Sequence, residues 1–169
     1  DATPEIIYEG KYLRMVHRGN WEYVERTHAQ GLAAIIVAVS DGQRLLLGRQ
    51  ASWAPRRYSV IAGFVEPGES LEQTVEREVF EETRVQVQGC QYLGAQPWPF
   101  PGALMLGFAA TAAATEVPQV TGELEDARWV SHAEIGAALA GESGDTGIGL
   151  PPAISIARAL IEHWYRTHG

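Results

Sequence analysis

The chain has 169 residues, enough for one domain with a sizeable core, and its 46% hydrophobic and 20% charged content is that of a soluble globular protein. Its net charge of −8 argues against a general nucleic-acid binder, and its single cysteine, Cys90, excludes a disulfide framework and a four-cysteine zinc site. No apolar run approaches the roughly 18 residues of a membrane span, and no signal segment opens the chain, so a cytoplasmic location with no membrane partner is the default expectation.

The apolar segments Tyr12 to His17 and Trp21 to Arg26 flank Arg18-Gly19-Asn20, which predicts a hairpin. Residues 1–30 are thus expected to form an N-terminal β-ribbon segment, and 31–169 the main domain. A ribbon alone is marginally stable, so it must pack on the body or on a second chain. Gly31 to Ser40 is a continuous apolar run, read as a strand buried on both faces. Asp41-Gly42 turns the chain, and Arg44 to Arg49 returns as a second strand. Ala51 to Arg57 reads as a loop, and Tyr58 to Val65 as a short strand or extended segment.

Ser70 and Gln73 have the spacing of a capping box and predict a helix from Leu71 to Thr83. Its apolar stripe is Leu71, Val75 and Val79. Val85 to Gly94 and Ala103 to Ala113 read as strands. Gln96 to Pro101 holds three prolines and cannot be a central strand. Ala127 to Val130 predicts a short strand, and Ser131 caps a helix through Ala140. Gly141 to Gly149 reads as a flexible, glycine-rich loop. Pro151 to His168 reads as an amphipathic helix with Ile154, Ala157, Leu160, Ile161 and Trp164 inward. This order predicts an α/β (α+β) fold, an α/β/α sandwich around a mixed sheet.

The helix carries a stripe of like charge. Glu78, Glu81 and Glu82 stand at i, i+3 and i+4 and share one face, with Arg77 the only basic residue beside them. Three such carboxylates offer hard oxygen ligands to a divalent cation, which can bridge phosphate oxygens and activate water. On the helix alone, a solvated acidic face is an equal reading. Gly63 and Pro67-Gly68 allow a tight approach to the helix start.

From Gly63 to Val85 the chain reads GFVEPGESLEQTVEREVFEETRV. The spacing of Gly63, Glu69, Arg77-Glu78 and Glu81-Glu82 resembles the Nudix box. The departure is Arg84, where that pattern has glycine; a non-glycine residue in a left-handed helix end costs on the order of 1 kcal/mol. The resemblance implies a pyrophosphohydrolase dependent on Mg²⁺ or Mn²⁺ that cleaves a nucleoside diphosphate linked to another group. It places the metal at Gly63, Glu78, Glu81, Glu82 and Glu123, with Glu125 the runner-up to Glu123. It gives Arg77 and Glu69 an orienting role in the catalytic cluster.

Downstream, Gly94 to Met105 (GAQPWPFPGALM) resembles a motif of the NADH pyrophosphatases, with Ala95 and Ala103 where that branch has serine. The resemblance implies substrate contacts at Phe64, Gln96, Met105 and Ala157. Phe64 would stack on a base; ordinary core packing is the bland alternative. The zinc ribbon usual in that branch is absent from this sequence, and no tyrosine near His28-Ala29 matches its stacking residue. Glu9 to Arg26 instead resembles the N-terminal ribbon of ADP-ribose pyrophosphatases, which implies a homodimer. The expected substrate is therefore of the NADH or ADP-ribose type. The alternatives are a catalytically silent nucleotide sensor or a hydrolase of nucleoside triphosphates or other nucleoside diphosphate derivatives. His17, His28, His132, His163 and His168 show no ligand spacing, and Arg56-Arg57 reads as a surface pair.

Overall fold

The structure is a computed structural model that describes residues 3–11, 13–26, 33–98, 102–144 and 147–169. Tyr12, His28, Ala29 and Phe100 lie outside the described residues, as do the ends of several predicted segments. The chain forms two compact units, Asp1–Gln30 and Gly31–Gly169.

The first unit is a three-stranded antiparallel sheet. Its strands β1 (Glu5–Glu9), β2 (Leu13–Arg18) and β3 (Trp21–Arg26) lie in chain order. The predicted hairpin is β2 and β3, and Gly19 supplies its left-handed turn residue at φ 63°. Strand β1 was not predicted: Glu5–Glu9 is exposed throughout and carries no clean alternation. Its pairing with β2 shifts register between Ile6 and Tyr8. Tyr8 pairs with Met15, and Met15 with Val24, so one apolar row crosses a single face.

The second unit is built on β4 (Ala33–Ser40), whose period of two feeds two separate cores. Ile35, Val37 and Val39 pack with Val75 and Val79 of α1 (Leu71–Thr83). Ile36 and Ala38 face the opposite layer, with Ile135 of α2 (His132–Ala140) and Leu160, Ile161 and Trp164 of α3 (Ile156–Thr167). β4 pairs antiparallel with β5 (Arg44–Gln50) and β6 (Ile61–Phe64), and parallel with β8 (Ala103–Ala112). β7 (Val87–Trp98) and β9 (Leu124–Ser131) complete a six-stranded mixed sheet of order β7-β8-β4-β5-β9, with β6 beside β4. The expected α/β/α sandwich is what forms.

Several boundaries differ from expectation. β7 runs through Pro97 to Trp98 because it is an edge strand, where a missing N–H costs no ladder bond. β6 begins only at Ile61. β9 begins at Leu124, and within it Ala127 and Val130 are the buried residues. Helix α3 starts at Ile156, because Ser155 is the N-cap and its hydroxyl accepts from Arg158 N–H. Ile154, expected on the inner face, therefore precedes the helix and is 76% exposed. In the glycine-rich stretch, Arg56 donates to the carbonyls of Gly144 and Gly147, so its described residues are tethered.

Candidate active site

The carboxylate face of α1 follows from how its other faces are anchored. Ser70 accepts from Gln73 N–H while the Gln73 side chain accepts from Ser70 N–H, the predicted capping box. Val75 and Val79 are fully buried. That sends Glu78, Glu81 and Glu82 to a cleft of about 560 Å³, lined also by Gly63, Phe64, Arg77, Thr121 and Glu123. Gly63, in β6 beside β4, is the floor under Glu78. A Cβ built on it would lie 1.8 Å from the Glu78 Cδ.

Arg77 binds three of the carboxylates at once. Its Nε and Nη2 donate to the two oxygens of Glu69 at 2.5 and 3.0 Å. Its Nη1 donates to Glu78 at 3.0 Å and to Glu81 at 3.1 Å. Nη2 also donates to the Phe64 carbonyl at 2.9 Å, tying helix to strand. The bidentate bond to Arg77 drops the Glu69 carboxyl to about 2, and hydrogen bonding to Glu69 raises Arg77 further. Thr74 donates its hydroxyl to Glu69 as well.

Glu82 makes no such pair. Burial pushes its carboxyl up to about 7, and repulsion from Glu78, Glu123 and Glu81 adds to the shift. Burial also raises Glu78, against the pull of Arg77. The cleft thus concentrates negative charge that one guanidinium does not balance.

Glu123 reaches the cleft on the loop before β9. That loop is fastened to the end of α1. Thr121 N–H donates to Glu82 O at 3.2 Å, its hydroxyl donates to Glu81 O, and Gln119 N–H donates to Thr83 O at 2.9 Å. Glu125 instead pairs with Arg49. Arg84 ends the helix in the left-handed region, φ 60° and ψ 7°, and its guanidinium stacks 5.1 Å from the Phe80 ring.

The structure therefore brings together Gly63, Phe64, Arg77, Glu78, Glu81, Glu82 and Glu123, with Glu69 behind Arg77. It does not bring Gln96, Met105 or Ala157 to the lining of this cleft. Gln96 spends its amide on the backbone, donating to Ile154 O and accepting from Ile156 N–H, both at 2.8 Å. Met105 and Ala157 pack against the core beneath α3. Sequence reasoning missed Thr121 and Thr74; a threonine carries no motif signal, and both act through backbone or carboxylate partners that only folding supplies.

The residues fit a hard divalent cation. The cleft offers the hard carboxylate oxygens of Glu78, Glu81, Glu82 and Glu123, the donor type such a cation prefers. Among the described residues no three ligand side chains converge on one point, and Arg77 engages both Glu78 and Glu81. Glu78, Glu82 and Glu123 would hold the cation, and Glu81 is exposed enough to turn toward it.

A mixed-sheet sandwich with this cleft defines a class, and comparison with known families names it. The NUDIX domain profile matches residues 29–148, and the chain belongs to the Nudix family. It is 44% identical over 168 residues to the NAD-capped RNA hydrolase NUDT12 of Macaca fascicularis, a match covering 96% of this chain and 36% of that protein. It is 45% identical over 137 residues to the NAD-capped RNA hydrolase NudC of Mycobacterium bovis, covering 78% of this chain and 44% of that one. The chain thus spans less than half the length of these relatives. A NUDIX hydrolase from Nitrosomonas europaea shares the fold, with a TM-score of 0.63 at 20% identity over 100% of this chain and 89% of that one.

Proposed function

We propose that the chain is a divalent-metal-dependent pyrophosphohydrolase that cleaves the diphosphate of NADH, of ADP-ribose or of a related dinucleotide. The observation that carries this reading is the cleft that Glu78, Glu81, Glu82 and Glu123 line together, with Phe64 beside them. The identity to NAD-capped RNA hydrolases points to a nicotinamide dinucleotide as the recognised group. An RNA carried on that dinucleotide is compatible with the −8 net charge, because the cap and not the chain is then bound.

A bound Mg²⁺ or Mn²⁺ supplies charge neutralisation on the diphosphate and a more acidic water. The chain's own residues do the rest. Glu78, Glu82 and Glu123 would hold the cation, and Arg77 orients Glu78 while also binding Glu69 and the Phe64 carbonyl. A carboxylate of the cluster not engaged by the cation takes the proton of the attacking water. Phe64, 42% exposed at the cleft, offers a ring on which a base stacks.

The test is a panel of NADH, ADP-ribose, a nucleoside triphosphate and a 5′-NAD-capped oligonucleotide, each with Mg²⁺ or Mn²⁺. Two mononucleotides from NADH, AMP and ribose 5-phosphate from ADP-ribose, or a capped RNA converted to a 5′-monophosphate, are expected. Release of pyrophosphate from the triphosphate, or binding without turnover, would overturn the reading. The same reading includes a homodimer, supported by the exposed row of Tyr8, Met15 and Val24.

A further inference from the structure

We propose that Thr121 is a positioning residue that sets the spacing between the two halves of the cation site. The inference rests on the reading of Glu78, Glu82 and Glu123 as the groups that hold the cation. One half of that site is on α1 and the other on the loop before β9, about 40 residues further along the chain. Nothing in the sequence ties them together.

The tie lies at the helix end. The last four carbonyls of an α-helix have no partner within it. In α1 those are the carbonyls of Phe80, Glu81, Glu82 and Thr83. Phe80 O accepts from Arg84 N–H at 2.9 Å, the ordinary closure of a left-handed cap. The remaining three are taken by the loop. Thr83 O accepts from Gln119 N–H, Glu82 O from Thr121 N–H and Glu81 O from the Thr121 hydroxyl.

Two of these three bonds come from one residue, and they land on the backbone of the two carboxylate residues Glu81 and Glu82. Gly122 then turns the chain in the left-handed region, φ 72°, and Glu123 follows directly. Only one residue separates the clamp from the carboxylate it positions. The hydroxyl is the part that a side chain decides; the two N–H bonds are available to any non-proline residue. Thr121 Oγ1 and Glu81 O are solvent-accessible, so water replaces the bond when the hydroxyl is lost and the fold survives. What changes is how tightly Glu123 is held over Glu82.

The experiment measures Mn²⁺ binding by the electron paramagnetic resonance of the free ion, without substrate, on wild type, Thr121→Val, Thr121→Ser, Glu123→Gln and the Thr121→Val/Glu123→Gln double variant. Thr121→Val is expected to weaken binding about 10-fold, the low end for a group that orients a ligand. Thr121→Ser keeps the hydroxyl and is expected to restore wild-type affinity. In the Glu123→Gln background, Thr121→Val is expected to have no further effect, because the group it positions is gone. Thermal unfolding of each variant confirms the fold. Wild-type affinity in Thr121→Val, failure of Thr121→Ser to restore it, or an undiminished loss in the Glu123→Gln background would overturn the proposal. If the pattern holds in a chain that hydrolyses none of the substrate panel, the clamp stands and the pyrophosphohydrolase reading falls.

Discussion

The Glu78 carboxylate occupies the space in which residue 63 would carry a Cβ. With a side chain there, the new carbon would lie 1.8 Å from Cδ and 2.1 and 2.2 Å from the two carboxylate oxygens. Gly63 is therefore required for close approach and not for backbone conformation.

Gly63→Ala gives the most selective prediction. The clash is with the far end of a flexible side chain, so Glu78 swings away and the strand keeps its pairing with β4. Turnover is expected to fall about 10²–10⁴-fold, the range for loss of a group acting in the transition state, with the melting temperature changed by only a few degrees. A calorimetric scan beside the kinetic assay separates this outcome from simple unfolding.

Glu82 makes stability depend on pH and on the cation. Its folded carboxyl titrates near 7, above the ordinary value of 4.5, so the folded state binds the proton more tightly. The contribution is fully present below about pH 4.5 and is lost as pH rises through 7. After allowance for partial exposure its size is on the order of 1–2 kcal/mol. Metal-free protein should therefore melt several degrees lower at pH 8 than at pH 5 from this group, at about 2–4 °C per kcal/mol. Added Mg²⁺ should recover the difference, with proton release measurable near pH 6.5. Glu82→Gln should remove the difference, and metal-free Glu82→Gln should be more stable than wild type at pH 8. Glu69 acts oppositely: held near 2 by Arg77, its contribution is present above 4.5 and lost as pH falls toward 2.

Arg84 pays for a left-handed conformation and recovers part of the cost by stacking on Phe80. Arg84→Ala loses the stacking and keeps the strain, so it should destabilise by about 0.5–1 kcal/mol. Arg84→Gly relieves the strain but loses the stacking and loosens the unfolded chain, so it should be neutral to within about 1 kcal/mol. Denaturant unfolding of the two variants tests the ordering.

The N-terminal sheet predicts an oligomer. Tyr8, Met15 and Val24 form one row, at 66%, 41% and 57% exposure. Light scattering should give a dimer mass for the wild type and a monomer mass for Met15→Glu, which places a charge at the centre of the row.

Much of the fold was legible because local signals and tertiary demands agreed. Ser70, Gln73, Val75 and Val79 announce α1 by capping and periodicity, and the structure uses each as announced. Gly31 to Ser40 read as doubly buried, and within it β4 serves two cores. The cluster of glutamates was legible through its spacing. What was not legible depended on partners distant in sequence. Strand β1 exists only because β2 accepts it. Ile154 has the right period for the inner face but lies before the cap at Ser155. Gln96 sits in a motif that suggests ligand contact, yet its amide is committed to the start of α3.

The parallel pairing of β4 with β8 joins Ala33 to Leu104 and Ser40 to Thr111, positions about 70 residues apart. Closing so long a loop costs entropy before any contact repays it, and such pairings form slowly. The whole of α1 lies inside that loop. Its capping box lets the helix form early, but the loop that completes the cluster of acids lies beyond β8. The site is thus assembled late on the folding route. A cation that recognises the finished cluster will therefore slow unfolding and leave the rate of folding almost unchanged.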